Sequence, residues 1–323
     1  MDDVAVFQSL PAVREQVLAA VGQVVVGQRE VVERMLIALL SDGHCLFVGV
    51  PGLAKTLLVH AVADAVGLGF GRIQFTPDLM PSDITGTDVL EEDRATGGRA
   101  FRFVRGPVFT NLLLADEINR TPPKTQAALL QAMQERAVTA AGRTWRLDPP
   151  FLVFATQNPI EQEGTYPLPE AQQDRFMFSV PVGYPSRAEE EEIVRRTTVG
   201  ATPTAPRVLD AERLRDIQRV LRATPINPDV VSYAVRLAAA TRPGSGADAT
   251  RWVRWGAGPR ASQYLAIGAR TVAALDGRWV ADAADVRAVA VPVLRHRVLL
   301  NFEAEAAGVS PDEVVARILE EVG

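Results

Sequence analysis

A lysine-containing loop near residue 50 has the residue types that bind phosphate. Its sequence is Gly49-Val50-Pro51-Gly52-Leu53-Ala54-Lys55-Thr56, and it lies between an apolar run and a helical pattern. In such loops glycines let backbone N–H groups converge, the following helix N-terminus adds positive potential, and the lysine supplies a point charge. The loop therefore predicts a phosphate site at which Thr56 holds a magnesium ion.

The loop departs from the general pattern G-x-x-x-x-G-K-[ST] at one position. Ala54 stands where that pattern has its second glycine. Because alanine is a helix former, we predict that Ala54 has a negative φ at the start of its helix. The residues expected to contact the nucleotide from this loop are Gly49, Pro51, Gly52, Leu53, Ala54, Lys55, Thr56 and Leu57.

Two carboxylates end the apolar run at 112–115, and a second apolar run at 151–155 ends in Thr156-Gln157-Asn158. The carboxyl ends of parallel strands form the ligand-binding edge of an α/β sheet. Next to a phosphate loop, Asp116 is placed to ligand magnesium through water and Glu117 to polarise an attacking water. Solvation at the edge of a sheet is the simpler alternative for these carboxylates.

The hydrophobic pattern predicts the strands and helices that would position the phosphate loop and the two carboxylates. Apolar runs predict five strands, at 45–48, 72–75, 112–117, 151–155 and a last one that reaches Val180, with helical or inserted segments between them. This alternation favours a mostly parallel sheet covered on both faces. Two hairpin-like insertions interrupt it, one at about 86–106 with a mobile turn at 91–98, and one around Gly142.

The character of the chain changes after residue 185. No further apolar strand runs appear, and helix start signals occur at Ser186, Asn227 and Ser310. We therefore predict an α/β core at residues 1–185 and a second, all-α domain at 186–323. Trp252 and Trp255 are either exposed anchors for a partner or packed side chains, and we favour packing.

Composition narrows the class of protein. The chain has 323 residues, is 47% hydrophobic and can bury a substantial core. Its single cysteine, Cys45, lies in an apolar run, which indicates a core residue in a reducing compartment and hence the cytoplasm. No run approaches the ~18 apolar residues of a membrane span, so we expect no membrane insertion. A net charge of −5 gives no electrostatic signature of a nucleic-acid partner.

The three histidines have no spacing that suits a metal ion. They are His44, His60 and His296, and a structural role is the simplest interpretation of each. We therefore expect no metal site other than that of magnesium bound with the nucleotide. Protein partners are the better expectation for this acidic chain.

The order of these motifs resembles that of the MoxR family of AAA+ ATPases. The resemblance covers nearly the whole chain, and its segments are 26–28, 49–56, 112–117, 155–158, 170–176 and 256–260. Its specific motifs are Gly-Val-Pro-Gly-Leu-Ala-Lys-Thr, Ala-Asp-Glu-Ile-Asn-Arg and Pro-Leu-Pro-Glu-Ala-Gln-Gln-Asp-Arg-Phe. Ala54, an exception to the general pattern, is typical of this narrower family.

The resemblance implies an α/β P-loop domain with an all-α lid and a role for particular residues. Val26 and Gly27 would line the adenine pocket of ATP or ADP. Asn158 would be the first sensor, which orients the attacking water. Arg175 would be an arginine finger, and Arg260 a second sensor that touches the terminal phosphate. Without the family match, an arginine beside a helix end is often only an ion-pair partner.

A finger that acts on a neighbouring subunit requires an oligomer. The resemblance implies a ring, most often a hexamer, in which each nucleotide lies between two subunits. It further implies chaperone-like remodelling or maturation of protein complexes, with a von Willebrand factor A domain protein as a frequent partner. The tips of the two hairpins would then face a partner or a pore.

Two other interpretations remain open on the sequence. A nucleotide-gated scaffold would switch on ATP binding but scarcely hydrolyse it, although Glu117 and Asn158 argue against it. A nucleic-acid motor or small-molecule kinase could be built on the same loop. The acidic balance argues against a motor, and the Asp116-Glu117 pair argues against a kinase.

Overall fold

The first 181 residues open with three α-helices and then combine nine strands with four further α-helices among the described residues. The computed structural model describes residues 2–92, 99–160, 164–198 and 203–323. In chain order the first elements are α1 (Asp3–Gln8), α2 (Leu10–Gly22), α3 (Arg29–Leu40), β1 (Cys45–Val48), α4 (Lys55–Ala65), β2 (Phe70–Gln74), α5 (Pro81–Thr85), β3 (Gly86–Glu92), β4 (Arg99–Arg105), β5 (Leu112–Asp116), α6 (Pro123–Glu135), β6 (Ala137–Ala140), β7 (Arg143–Arg146), β8 (Leu152–Gln157), α7 (Glu170–Gln173) and β9 (Phe178–Pro181).

Five of these strands form one sheet in the order β2-β5-β8-β1-β9. Every neighbouring pair in it is parallel, so the predicted α/β sheet is confirmed. All five residues of β5 are buried, as expected for a central strand with both faces covered. The carboxyl ends of β1, β5 and β8 consequently lie side by side at one edge.

Both faces of the sheet carry a hydrophobic core, and side chains alternate between them. Leu112 and Leu114 belong to the core that includes α2, α3 and α4, while Leu113 and Ala115 belong to the core that includes α6. The first of these cores continues without interruption into the C-terminal helices, since it also contains residues such as Leu237. The division of the chain at residues 185 and 186 therefore stays a prediction.

Both predicted hairpin-like insertions form antiparallel hairpins. Strand β3 pairs with β4 and β6 pairs with β7. Residues 93–98 of the turn predicted in the first hairpin lie outside the described residues. The second hairpin turns at Ala141 and Gly142, both with positive φ, the conformation of a type I′ turn. The ring of Phe103 in β4 stacks on that of Trp145 in β7 at 4.6 Å, so the two hairpins are in contact.

The region after residue 186 is helical, as predicted. Its elements are α8 (Arg187–Thr197), α9 (Ala211–Ala223), α10 (Pro228–Ala240), β10 (Val253–Trp255), α11 (Pro259–Leu275), α12 (Ala283–Leu294), β11 (Leu299–Leu300), α13 (Phe302–Ala306) and α14 (Pro311–Val322). Ser186, Asn227 and Ser310 each accept a backbone N–H at the start of their helices. The short antiparallel pair of β10 and β11 is an addition that the sequence analysis did not predict.

The two tryptophans of this region differ in environment. Trp252 packs against the core, as we expected, whereas Trp255 is 69% exposed, so the expectation was wrong for it. A bulge accounts for the exposure: Val253 pairs with Leu300 and Trp255 with Leu299, so the register shifts between them and Trp255 does not share the buried face of Val253. No helix among the described residues is long and apolar enough to cross a membrane.

Candidate active site

A cavity of about 370 Å³ lies at the carboxyl edge of the sheet. The loop before α4, the ends of β2, β5 and β8, and the residue after β8 all contribute to its wall. Its lining consists of Pro51, Gly52, Leu53, Ala54, Lys55, Thr56, Arg72, Gln74, Asp116, Glu117, Thr156 and Asn158. The structure thus brings the phosphate loop together with the two carboxylates and Asn158, which the sequence analysis inferred from separate motifs.

Ala54 has a left-handed backbone, with φ 53° and ψ 24°, so the prediction of a negative φ was wrong. Helix propensity describes residues inside a helix, whereas Ala54 is the residue that precedes α4. Two residues earlier Gly52 also has a positive φ, of 85°. Closure of the loop between β1 and α4 therefore decides the conformation of Ala54, against the ordinary preference of an alanine.

Lys55 begins α4 and its ammonium group lies against the loop. Its Nζ donates to the carbonyl oxygens of Gly49 at 2.6 Å and Val50 at 2.7 Å. Burial lowers the pKa of Lys55, while the nearby carboxylates of Asp116 and Glu117 act in the opposite direction. The ammonium group is therefore held between the loop and the two carboxylates, where a phosphate group would be attracted.

Asp116 is buried at the end of β5 and accepts hydrogen bonds on both of its oxygens. Thr156 Oγ1 donates to Oδ1 at 2.6 Å. On the other side, Arg72 Nη2 donates to Oδ2 at 2.6 Å, and Thr56 Oγ1 lies 3.5 Å from the same atom. The hydroxyl of Thr56 and the carboxylate of Asp116 are oxygen donors of the kind that Mg²⁺ prefers, so these two residues fit the ion.

Glu117 follows Asp116 in a left-handed conformation, with φ 56°. Its backbone N–H donates to Thr156 Oγ1 at 2.8 Å, which ties the turn to β8. Its carboxylate oxygen Oε2 accepts from Gln74 Nε2 at 2.8 Å and from Arg120 Nη1 at 3.0 Å. A strained backbone of this kind is typical of residues that a site must aim precisely.

Arg72, Gln74 and Thr156 were missed as site residues by the sequence analysis. Arg72 and Gln74 are alternate residues of β2, which pairs with β5 so that Gln74 lies opposite Asp116. The available signal for Arg72 and Gln74 was that two polar residues, two positions apart on the strand predicted at 72–75, share one face of that strand. The signal could not be used without knowing that β2 and β5 are neighbours, which only the strand order reveals.

Asn158 follows β8 and is 4% exposed. Its Oδ1 accepts the backbone N–H of Ile160 at 3.1 Å, which orients the amide within the wall of the cavity. Because β8 lies between β1 and β5, Asn158 is beside both the phosphate loop and Glu117. Its position suits a group that contacts a ligand held by the loop.

Arg175 and Arg260 are not among the residues that line the loop cavity. Arg175 donates to Gln134 Oε1 from Nε at 3.2 Å and Nη2 at 3.0 Å. Arg260 Nη1 donates to Asp174 Oδ2 at 2.9 Å, directly beside Arg175 in the chain. The structure therefore separates both arginines from the phosphate loop of their own chain and places them near each other.

The segment expected to line an adenine pocket lies against the connection between β9 and α8. Gly27, with φ 70°, is close to the side chain of Glu189, and Val26 is half-buried. The next residue, Gln28, donates from Nε2 to the carbonyl of Gly183 at 3.2 Å. Neither Val26 nor Gly27 is part of the wall of the loop cavity.

Two of the three histidines, His44 and His296, are buried. His44 is buried and its Nδ1 accepts the backbone N–H of Val153 at 2.9 Å; burial lowers its pKa to about 3. His296 is also buried, with Nε2 at 3.1 Å from the carbonyl of Phe176, and its pKa is well below the usual range because of burial. Among the described residues, no group of three or more His, Cys, Asp or Glu could hold a metal ion.

Comparison with known proteins agrees with the class that the fold and the cavity define. Residues 44–178 match the profile described as "ATPase family associated with various cellular activities (AAA)", and residues 247–318 match "AAA lid domain". A crystal structure of a protein assigned as an ATPase, from Cytophaga hutchinsonii, superposes with a TM-score of 0.90 at 41% identity, covering 99% of this chain and 97% of that one. The chain is thus an AAA+ ATPase by fold.

The relatives narrow this class further. "Chaperone MoxR1" of Mycobacterium tuberculosis is 48% identical over 311 residues, which are 95% of this chain and 81% of that protein. "Protein MoxR" of Paracoccus denitrificans is 36% identical over 88% of this chain and 87% of its own length. The chain belongs to the MoxR family of AAA+ ATPases, a family with chaperone members.

Proposed function

We propose that this protein hydrolyses ATP at a site shared between two subunits and uses the energy to remodel or mature protein complexes. The observation that carries this proposal is the single cavity in which Lys55, Thr56, Asp116, Glu117 and Asn158 meet. It combines a phosphate loop, oxygen donors for a metal ion and a carboxylate for proton transfer, which is the set that phosphoryl transfer to water requires.

Each of these five residues has a role in the proposed reaction. Lys55 binds the terminal phosphates, which the adjacent loop N–H groups also contact. Glu117 takes the proton of the attacking water, and Asn158 orients that water. Thr56, together with Asp116 through water, would hold Mg²⁺, which supplies positive charge to the phosphate oxygens when bound. Val26 and Gly27 would contact the adenine, beside the segment that Gln28 ties to Gly183.

The two arginines belong, in this proposal, to the site of the neighbouring subunit. Arg175 and Arg260 lie near each other and away from their own phosphate loop. A head-to-tail contact would bring them to the next subunit's nucleotide, and repetition of that contact closes a ring, which we take to be a hexamer. An arginine placed on the transferred phosphoryl group accelerates hydrolysis on the order of a thousandfold or more.

The proposed work is done on a protein client in the cytoplasm. Support comes from the relative named as a chaperone and from the single cysteine, which is buried and free. A protein with a von Willebrand factor A domain is the partner that membership in the family indicates. The C-terminal part from residue 186 would act as the lid that moves against the core during turnover.

A phosphate-release assay with two substitutions tests the hydrolysis. Glu117→Gln should bind ATP as tightly as the wild type but lose at least about a hundredfold in kcat, because the proton acceptor is gone. Lys55→Ala should lose ATP binding. If Glu117→Gln hydrolyses ATP like the wild type, the chain is a nucleotide-gated scaffold rather than the proposed enzyme.

Mixed subunits test the shared site. Arg175→Ala subunits keep an intact loop, and Lys55→Ala subunits keep an intact arginine, so only a mixture contains complete sites. With random assembly at equal amounts, about a quarter of the interfaces would be complete and about a quarter of wild-type activity should return. No recovery from two assembled variants would contradict sharing of the site between subunits.

A further inference from the structure

Arg297 is a charged side chain buried outside the phosphate-loop cavity. It follows α12, and only 2% of its side chain is exposed. A buried guanidinium is costly unless its N–H groups are all paired, and replacing such a group by an apolar side chain is often neutral or stabilising. The role of Arg297 should therefore lie in its hydrogen bonds, which an apolar side chain could not make.

Most of those partners lie in the segment that carries Arg175; the exceptions are the carbonyl oxygen of Val293 and Nε2 of His296, both contacted by Nη1. Nε of Arg297 donates to Asp174 Oδ1 at 2.8 Å, and Nη2 donates to the carbonyl oxygens of Asp174 and Phe176, both at 2.7 Å. Nη1 lies 3.4 Å from the carbonyl of Met177. One side chain of the helical region thus contacts three carbonyls around Arg175.

The carbonyl of Arg175 itself is held by a second residue of the helical region. Tyr264 in α11 donates its hydroxyl to that oxygen at 3.1 Å, and the guanidinium of Arg297 lies 5.3 Å from the centre of the Tyr264 ring. Residues 174–177 lie between α7 and β9, so no sheet or helix ladder supplies donors for their carbonyls. Tyr264 and Arg297 supply donors for four consecutive ones.

Asp174 joins Arg260 to the same cluster. Its Oδ1 accepts from Arg297 and its Oδ2 accepts from Arg260 Nη1 at 2.9 Å. The carboxylate therefore fixes the side chain of Arg260 and the backbone that precedes Arg175 in a single geometry. Removing Arg260 or Arg297 would leave one carboxylate oxygen of Asp174 without its charged partner.

We propose that Arg297, Tyr264 and Asp174 are positioning residues that hold Arg175 and Arg260 together in one fixed geometry. This inference rests on the proposed function, in which both arginines act on the neighbour's nucleotide. Because Arg175 also donates to Gln134 in α6, the cluster joins the helical region to the core at the place where both arginines lie. None of the three positioning residues lines the phosphate-loop cavity of its own chain.

Tyr264→Phe tests the proposal because it removes only the hydrogen bond to Arg175. We expect kcat for ATP hydrolysis to fall about fivefold, with an unchanged KM for ATP, since one hydrogen bond is lost at a distance from the loop. Tyr233→Phe is the matched control. Tyr233 is buried in α10, and among the described residues its hydroxyl has no hydrogen-bond partner, so kcat should not change.

Mixed subunits separate positioning from a general structural effect. If Tyr264→Phe weakens only the arginine that a subunit donates, mixing it with Lys55→Ala should give about three times the activity of mixing it with Arg175→Ala. If Tyr264→Phe instead weakens the subunit's own nucleotide site, the ratio is inverted. An inverted ratio, or an unchanged kcat for Tyr264→Phe alone, would overturn the proposal.

Arg297→Lys provides a second variant that keeps the charge. An ammonium group cannot reproduce the fork that contacts Asp174 and three carbonyls, so its kcat should fall by about tenfold or more, with the same pattern in mixtures. Circular dichroism and size-exclusion chromatography check folding and assembly. If Lys55→Ala and Arg175→Ala fail to complement each other, both proposals fail; if they do complement but these variants behave as wild type, the positioning proposal alone fails.

Discussion

Replacing Ala54 by glycine tests whether the phosphate loop stores backbone strain. A left-handed backbone costs an alanine roughly 1–2 kcal/mol, and glycine avoids that cost. Glycine also gives the unfolded chain more freedom, which offsets about 0.4–1 kcal/mol of the gain. The methyl group of Ala54 is exposed, so little burial is lost. Ala54→Gly should therefore raise the free energy of unfolding by about 0.5–1 kcal/mol.

Equilibrium unfolding in urea, followed by circular dichroism at one fixed protein concentration, measures this difference. Concentration must be fixed because assembly adds to apparent stability. Ala141→Gly is the matched control, since Ala141 is also exposed and has the same φ of 53°, but lies in the β6–β7 turn. The strain argument requires a gain in both variants. A loss of stability in Ala54→Gly alongside a gain in Ala141→Gly would refute it for the phosphate loop.

Two further predictions concern the base and a buried histidine. Gln74→Ala should lower kcat about tenfold at an unchanged KM for ATP, because Glu117 loses a charge-assisted hydrogen bond; an unchanged kcat in the phosphate-release assay would contradict this. Burial lowers the pKa of His44 to about 3, so below about pH 6.5 only the unfolded chain takes up this proton. Stability should fall by about 1.4 kcal/mol per pH unit from about pH 6.5 towards 3 on account of His44. In urea unfolding His44→Gln should reduce this slope; equal slopes for the wild type and His44→Gln would show that another group is responsible.

Elements of the fold were predictable where local chemistry decides them. The strand predicted at 45–48 coincides with β1, and the helix start signals at Ser186, Asn227 and Ser310 coincide with the N-caps of α8, α10 and α14. Buried parallel strands need continuous apolar runs, and helices need their start groups capped, so both leave a local trace. The short helix α1 leaves a weaker trace and was missed.

The candidate site was predictable only in part. Lys55, Thr56, Asp116, Glu117 and Asn158 belong to motifs with a chemical reason, and they do share one cavity. The partners that orient them were not predictable in the same way. A carboxylate and its donor can be forty residues apart in the chain, and no local pattern records which distant side chains become neighbours.

Ala54 illustrates the limit of local preference. Its residue type favours a helical backbone, yet loop closure between β1 and α4 imposes a left-handed one. The exposure of Trp255 is a similar case, because it depends on a short pairing of β10 with β11, which are more than forty residues apart. At Ala54 the tertiary constraint outweighs a backbone preference worth roughly 1–2 kcal/mol.

By itself, the sequence determined the family, the parallel sheet and the residues able to bind phosphate and move a proton, because these depend on residue type and short-range spacing. Only the tertiary structure decided where the two arginines lie. Arg175 and Arg260 are far apart in the chain, and their association depends on the carboxylate of Asp174 and the buried guanidinium of Arg297. Packing of the helical region against residues 174–177 brings these groups together, and that packing has no signature in local sequence.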